Sequence, residues 1–421
     1  MRNRIVVFCC LLLFTGKISA QDSLRYFHPD TLAEMIGFLA ADSLKGRANY
    51  TPSLEKAALY ISAQFEKAGL QPLAGYSTYP QPFIPDLPFN QRLEQVKVNG
   101  VTQPERSYFY TSSYQFPPTL RTGDFTVIHL SNASGDSFIN AINRAMDTIT
   151  GLLLFIVPVA DIKLLGALRE KQFKVPAHTL LIIASNEEHP VVEVALKPDI
   201  RKKMLFNVIG MLPGIGLQNE FVLITAHYDH LGVQKGGRDS IYNGANDNAS
   251  GTAAMLSMVR YFAGLKNNER TILFAAFAGE ELGLFGSMYL ASMLDAKALT
   301  AMFNLEMLGK VNDVGRRSLI ITGESRSTLG KIMRKYCKTI KIAFDMNRDE
   351  RLFERSDNHP FALQGVPAHT FMCFTPSDKN YHQPSDEIKT LDMNNLSFLL
   401  KGLLPGINAV VSGRETPTRI K

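Results

Sequence analysis

The sequence predicts an α/β protein with a mostly parallel central sheet flanked by helices, and three features lead there. Apolar runs of strand length recur at Phe221–Ala226, Thr271–Ala278, Ala301–Leu305 and Pro367–Phe374. Strands covered on both faces are hydrophobic throughout instead of alternating. A stretch with helical spacing of apolar residues, Thr252–Phe262, lies between the first two runs. Histidines and carboxylates collect where the apolar runs end, the edge at which open α/β sheets bind ligands.

His227 closes the first run, and Asp229 follows two residues on. On an extended chain both side chains point the same way. Asp229 can then accept the proton of the imidazole nitrogen that does not bind a metal, fixing the tautomer. The cluster Asn243–Gly251 supplies cap residues ahead of the helix. It holds Asp247 where one carboxylate can bridge two cations. Glu280 and Glu281 follow the second run inside Gly279–Gly283. Two adjacent carboxylates at the end of an apolar strand repel each other and lose solvation unless a cation lies between them. With a metal ion and a water present they divide the work, one binding the ion and the other taking the proton of the water. Glu306 ends the third run among apolar neighbours, and His382 follows the last one in Tyr381–Asp386. Imidazole and carboxylate are ligands of Zn²⁺, which in catalytic sites keeps one position open.

These stretches resemble the zinc aminopeptidases of peptidase family M28. The matching segments are His227–Gly232, Asn243–Gly251, Gly279–Gly283, Asn304–Gly309, Ser356–Phe361 and Tyr381–Asp386, in family order and across 201–412. The resemblance implies that Asp247 bridges two zinc ions, with Glu281 and His382 completing one and His227 and Glu306 the other. Glu280 would be the general base, and Asp229 the partner of His227. The Asp247–Asn248 peptide matches a position that is cis in relatives. Glu306 stands where many relatives carry Asp; the carboxylate is kept on an arm longer by a methylene, which implies tuning of the second ion.

The 421 residues leave room for more than one folding unit. Residues 1–20 read as a secretory signal peptide: Met1–Arg4 is basic, Ile5–Phe14 apolar, and Ile18–Ala20 offers a cleavage site. A secreted or periplasmic chain without a transmembrane segment is expected after cleavage. Residues 21–83 read as N-terminal helices packing on the catalytic domain. Thr51 and Pro52 mark a helix start and Gly69 a stop, within a helical stretch running Asp30–Leu70. Residues 84–200 change to β-like runs such as Phe125–Leu130 and Gly151–Val157, and are expected to form a smaller inserted, lid-like module. Its placement resembles the protease-associated insert of some M28 relatives. The catalytic domain is expected over 201–421. Cys337 and Cys373, left after the leader, either pair or stay free. The formal charge of +6 includes Arg2, Arg4 and Lys17 of the leader. No Lys/Arg cluster marks a nucleic-acid partner.

The expected activity is metal-assisted removal of N-terminal residues from peptides with a free N-terminus. Glu280 would take the proton of the attacking water and pass it to the leaving amine. Carboxypeptidase and dipeptidase relatives share this ligand set, so the direction of cleavage rests on the resemblance. A glutaminyl cyclase-like acyltransferase would use one zinc through Asp247, Glu281 and His382, but those relatives line the pocket with tryptophan and this chain has none. A catalytically dead ectodomain of the transferrin-receptor type would lack ligands, and here every ligand position carries a coordinating residue.

Overall fold

A computed structural model of the protein describes residues 24–85, 91–111, 119–130, 141–142, 144, 151–161, 165, 178–198, 204–234, 239–343 and 352–420. The expected leader, 1–20, lies outside the described residues. Among the described residues no helix is long and apolar enough to cross a membrane. The chain forms two compact units, one from the segments up to Pro85 and from Met204 onward, the other from Asp86–Lys203.

The larger unit is built on a nine-stranded sheet. In chain order its strands are β1 (Gln71–Pro72), β2 (Pro80–Phe83), β3 (Leu205–Leu212), β4 (Leu217–His227) and β5 (Arg270–Phe277). They continue with β6 (Leu299–Glu306), β7 (Ser318–Ile321), β8 (Lys341–Ala343) and β9 (Ala368–Met372). The spatial order is β1-β3-β5-β4-β6-β9-β7-β8, with β2 also pairing with β3. The centre, β5-β4-β6-β9, is parallel, while β3 and β7 join it antiparallel. Every residue of β5 is buried, which explains why its sequence does not alternate. Because β4, β5, β6 and β9 run the same way, His227, the Glu280–Glu281 turn, Glu306 and the segment leading to His382 emerge at one edge.

The helices cover the faces: α1 (Pro29–Leu39), α2 (Pro52–Ala68), α3 (Gly251–Leu265), α4 (Phe285–Met293), α5 (Leu329–Tyr336), α6 (His359–Ala362) and α7 (Met393–Val411). α3 packs on β4 and β6, and α1 and α2 pack on α3. The Thr51 hydroxyl accepts the Leu54 N–H at 3.4 Å, and Gly69 ends α2 in the left-handed conformation at φ 73°. The helical stretch Asp30–Leu70 thus holds two helices, the second starting where Thr51 and Pro52 mark it. Between them Lys45, Gly46 and Arg47 take φ of 44°, 64° and 46°, which no right-handed helix accommodates. Residues 71–83 add two edge strands that helical reading does not anticipate. Pro72, Pro80 and Pro82 lie in them, in keeping with the confinement of proline to sheet edges. Cys337 and Cys373 are both free and buried.

The smaller unit contains two four-stranded sheets. One orders Val101–Thr102, Gln91–Val98, Val192–Pro198 and Thr119–Arg121; the other orders Tyr108–Thr111, His178–Ala184, Gly151–Val157 and Thr126–His129. Val96, Val194 and Leu196 of the first meet Leu154, Ile156, Leu181 and Ile183 of the second in one core. Leu153, Phe155 and Val157 point the other way into a second cluster. The run Gly151–Val157 is therefore apolar on both faces for the same reason as β5.

Gly251, the first residue of α3, has ordinary helical angles, yet a Cβ there would lie 2.2 Å from the Leu305 carbonyl oxygen on β6. Helix propensity alone would make Gly251→Ala stabilising by about 1 kcal/mol. The close approach reverses the sign, and we expect a loss of about 1–3 kcal/mol. Urea denaturation of the metal-free protein checks this; a variant as stable as the parent would show that α3 is free to back away from β6.

Candidate metal centre

Four turns at the carboxyl edge of the parallel strands carry the polar side chains. β4 ends at His227 with Tyr228–His230 beyond it; a tight turn over Ala245–Ser250 holds Asp247; Gly279–Gly283 links β5 to α4; and the Tyr381–Asp386 segment follows β9. The Asp247–Asn248 peptide is cis.

The Asp247 carboxylate lies between two histidines. Its Oδ1 is 3.3 Å from His227 Nε2 and its Oδ2 is 3.1 Å from His382 Nε2. His382 Nε2 is also 3.2 Å from Glu281 Oε1. A further histidine joins: His230 Nδ1 stands 3.0 Å from the same Glu281 oxygen, and His230, Asp247 and Glu281 can converge on one ion. The His382 ring is stacked on Tyr381 with centroids 4.0 Å apart. His227, Asp247, Glu281 and His382 are therefore brought together as the sequence leads one to expect. Glu306 is placed at the same edge, 8% exposed. Its Oε2, however, accepts a hydrogen bond from Ser356 Oγ and a long one of 3.5 Å from Asn304 Nδ2.

Asp229 does more than the sequence suggests. His227 Nδ1 is nearer the Asp229 main-chain oxygen, at 3.2 Å, than its carboxylate, at 3.7 Å. The carboxylate instead accepts the N–H groups of Glu280 and Glu281, each at 3.2 Å, and the Asn49 amide at 2.6 Å. Asp229 thus holds the turn that carries both glutamates. Asp386 does the same for the other turn, accepting the N–H groups of Asn246 and Asp247 at 3.0 Å. Asn248 then ties that turn to β6, donating to Leu305 O and accepting from Gly251 and Met307 N–H.

Crowding sets the protonation of the cluster. Burial alone would depress His227, but the carboxylates of Glu280, Asp229 and Asp247 push it well above its usual value. His382 is likewise depressed by burial and raised by Asp247 and Glu281, reaching about 9. Asp247 and Glu281 move the other way. Burial would raise both, and the histidines bring them below the usual carboxylate range. Glu280 goes up: burial and the charges of Glu281, Glu306 and Asp357 outweigh the attraction of His227. Glu306 is also raised, chiefly by burial. Asp357, fully buried, is pushed by burial to about 7.

The residues fit a metal centre of nitrogen and oxygen donors. The buried Nε2 of His230 has no hydrogen-bond partner, a costly condition for a ring nitrogen. The Nε2 of His227 faces only the Asp247 carboxylate at 3.3 Å, a contact that shared coordination of an ion would replace. A dication would also relieve the repulsion that raises Glu280 and Glu306. Sequence reasoning did not single out His230, Asn49 or Asp386. His230 and Asp386 lie inside the quoted motifs, whereas nothing local marks Asn49.

Residues 207–403 match the model of peptidase family M28. Aminopeptidase YwaD of Bacillus subtilis (strain 168) is 28% identical over 232 residues, covering 51% of this chain and 47% of that protein. A probable leucine aminopeptidase of Arthroderma otae is 30% identical over 206 residues, covering 45% of this chain and 53% of the relative. The chain spans about half the length of the curated relatives it matches. Among solved structures, a zinc aminopeptidase from Bacillus subtilis superposes with a TM-score of 0.57 at 19% identity, covering 93% of this chain and 97% of that one. An aminopeptidase from Aneurinibacillus sp. strain AM-1 does so with a TM-score of 0.56 at 17% identity, covering 93% and 96%. The shared architecture is the mixed α/β fold with a central, mostly parallel sheet. Over the matched segment, 207–403, the chain is similar to peptidase family M28, and the fold around that segment is the one its zinc aminopeptidase neighbours share.

Proposed function

We propose that the protein is an exported, zinc-dependent aminopeptidase that hydrolyses the first peptide bond of peptides with a free N-terminus. The observation that carries this reading is the Asp247 carboxylate, whose two oxygens face two different histidines. Such a carboxylate suits a bridge between two ions. Glu281 and His382 would hold one zinc with Asp247; His227 and Glu306 would hold the other. The names of the relatives support zinc and the aminopeptidase direction. The basic start and apolar run of residues 1–20 support export.

Zinc, when bound, supplies Lewis-acid polarisation of the scissile carbonyl and makes water more acidic. The chain's own residues do the rest. Glu280 accepts the proton of the attacking water at its carboxylate and returns it to the leaving amine nitrogen. The Asp229 carboxylate, through the N–H groups of Glu280 and Glu281, keeps base and ligand in fixed relation.

Glu280→Gln preserves shape and removes the base. Turnover of a free-N-terminus peptide should fall by at least about 10²-fold while zinc content stays at the parent level. Parent-level hydrolysis by this variant would overturn the assignment.

Elemental analysis of the purified protein should approach two zinc ions per chain, and Asp247→Ala should lose both. At neutral pH the metal must displace the proton that His382 keeps up to about 9. Apparent zinc affinity should therefore fall as pH falls through neutrality. Full activity with one tightly held ion would favour the single-zinc cyclase-like reading instead.

Glu306→Asp should keep the fold and the ion shared by Glu281 and His382, but change the zinc concentration needed for full activity. Glu306→Ala should empty the His227 side alone. Three superimposable zinc titrations of activity would make Glu306 an ordinary buried carboxylate.

A further inference from the structure

Arg47 is fully buried, and the mechanism above does not use it. It stands between α1 and α2, in the short segment whose backbone turns left-handed at Lys45–Arg47. Its guanidinium makes no ion pair with a carboxylate among the described residues. It spends its donors on main-chain oxygens: Nε to Tyr228 O at 2.9 Å, Nη1 to Leu39 O at 2.6 Å and Asn243 O at 2.7 Å, and Nη2 to Gly244 O at 3.0 Å. Tyr228 separates His227 from Asp229, and Gly244 opens the turn that holds Asp247. One side chain thus joins both ligand-bearing loops to the end of α1.

We propose that Arg47 is a positioning residue for the metal centre, fixing the main chain beside His227 and ahead of Asp247 so that their donor atoms stay at metal-binding separation. The proposal rests on the M28 zinc reading of the site. Two observations besides the guanidinium bonds support it. The segment that delivers Arg47 is itself laced to the β4 end: His230 N–H donates to Arg47 O at 3.2 Å, Ala48 bridges His230, and the Asn49 amide holds Asp229. Gly46 has no room for a side chain, since a Cβ would fall 2.3 Å from Tyr242 O and 2.6 Å from Gly232 O. The path of the segment is therefore set to bring Arg47 under the site.

The residue type fits the task. A guanidinium offers its donors in a rigid planar fork, so several carbonyls from different loops can be held in one geometry; an ammonium is a point charge on a flexible stem. Burial lowers the Arg47 pKa to about 10, against the fields of Asp247, Asp229, Asp386 and Glu281, so the charge persists at neutral pH. It supplies a permanent cation to a site crowded with carboxylates. That charge also opposes an incoming dication, so electrostatics alone gives Arg47 no reason to strengthen metal binding. Geometry does.

The test is zinc binding by the metal-free full chain, measured by competition with a colorimetric chelator, with melting temperatures taken before and after zinc. Arg47→Met, neutral and of similar length, should bind zinc at least about 10-fold more weakly, the size expected for a group that orients metal ligands. The rise in melting temperature on adding zinc should shrink in step. Arg47→Lys should recover part of the loss. A merely structural arginine would lower the melting temperature of the metal-free Met variant and leave its zinc affinity within about 2-fold of the parent; that result overturns the proposal. Should the Met variant not fold, Arg47→Lys decides: several-fold weaker zinc binding supports positioning by the fork, and parent affinity refutes it. A parent that binds no zinc would remove the metal-centre reading itself, a failure visible without any variant.

Discussion

Mutual repulsion among buried carboxylates is the constraint around which this site is organised. Asp229, Asp247, Glu281, Glu306, Asp357 and Asp386 are gathered with little or no exposure at one edge of the sheet, where Coulomb energies are several times larger than in water. The fold meets that repulsion in distinct ways. Asp229 and Asp386 are satisfied by main-chain N–H groups. Asp247 and Glu281 are satisfied by histidines that hold protons more tightly than usual. Glu280, Glu306 and Asp357 are left raised, and burial raises Asp386 too despite its N–H partners. The residual imbalance is what a cation would correct.

Rigidity at this edge comes from main-chain anchoring. A parallel sheet delivers strand ends to one side, but strand ends alone do not fix side chains to within a fraction of an ångström. Here side chains from one turn grip the backbone of the next. Asp229 holds the glutamate turn and Asp386 the Asp247 turn. Asn248 reaches across to Leu305 and Met307 on either side of Glu306. Displacing one turn therefore breaks bonds in another, and the donor set behaves as a unit.

Much of this was legible in the sequence because the signals were local. A continuous apolar run ending in His227, Glu280–Glu281 or Glu306 reads as a buried strand with a functional end, and Thr51 with Gly69 delimits α2. The parts that escaped have non-local causes. Arg47 and Asn49 act on residues about 180 positions away, and nothing in their own neighbourhood distinguishes them from surface polar residues. The break between α1 and α2 depends on left-handed angles that Lys45 and Arg47 adopt only because the segment is tied to the β4 end. The edge strands β1 and β2 are short and contain proline, so their pairing with β3 is decided by the partner. The sequence places Asp229 beside His227, but its carboxylate is taken up by the N–H groups of the glutamate turn, a preference fixed only once β4 and β5 lie side by side.

The two halves of the proposed centre are not equivalent, and the difference lies in who holds the ligands. On one side His382, Asp247 and Glu281 already approach one another to 3.1–3.2 Å, with His230 on the same Glu281 oxygen. A metal there would replace protons in a set that is otherwise assembled. On the other side His227 faces Asp247, but Glu306 directs Oε2 at Ser356 and Asn304, which themselves join Thr370 in a buried polar network. The longer Glu306 arm can reach an ion only by turning an oxygen from that network or by using the other one. An ion held through Oε2 would carry the cost of breaking those bonds, whereas one held through the other oxygen would leave the network in place.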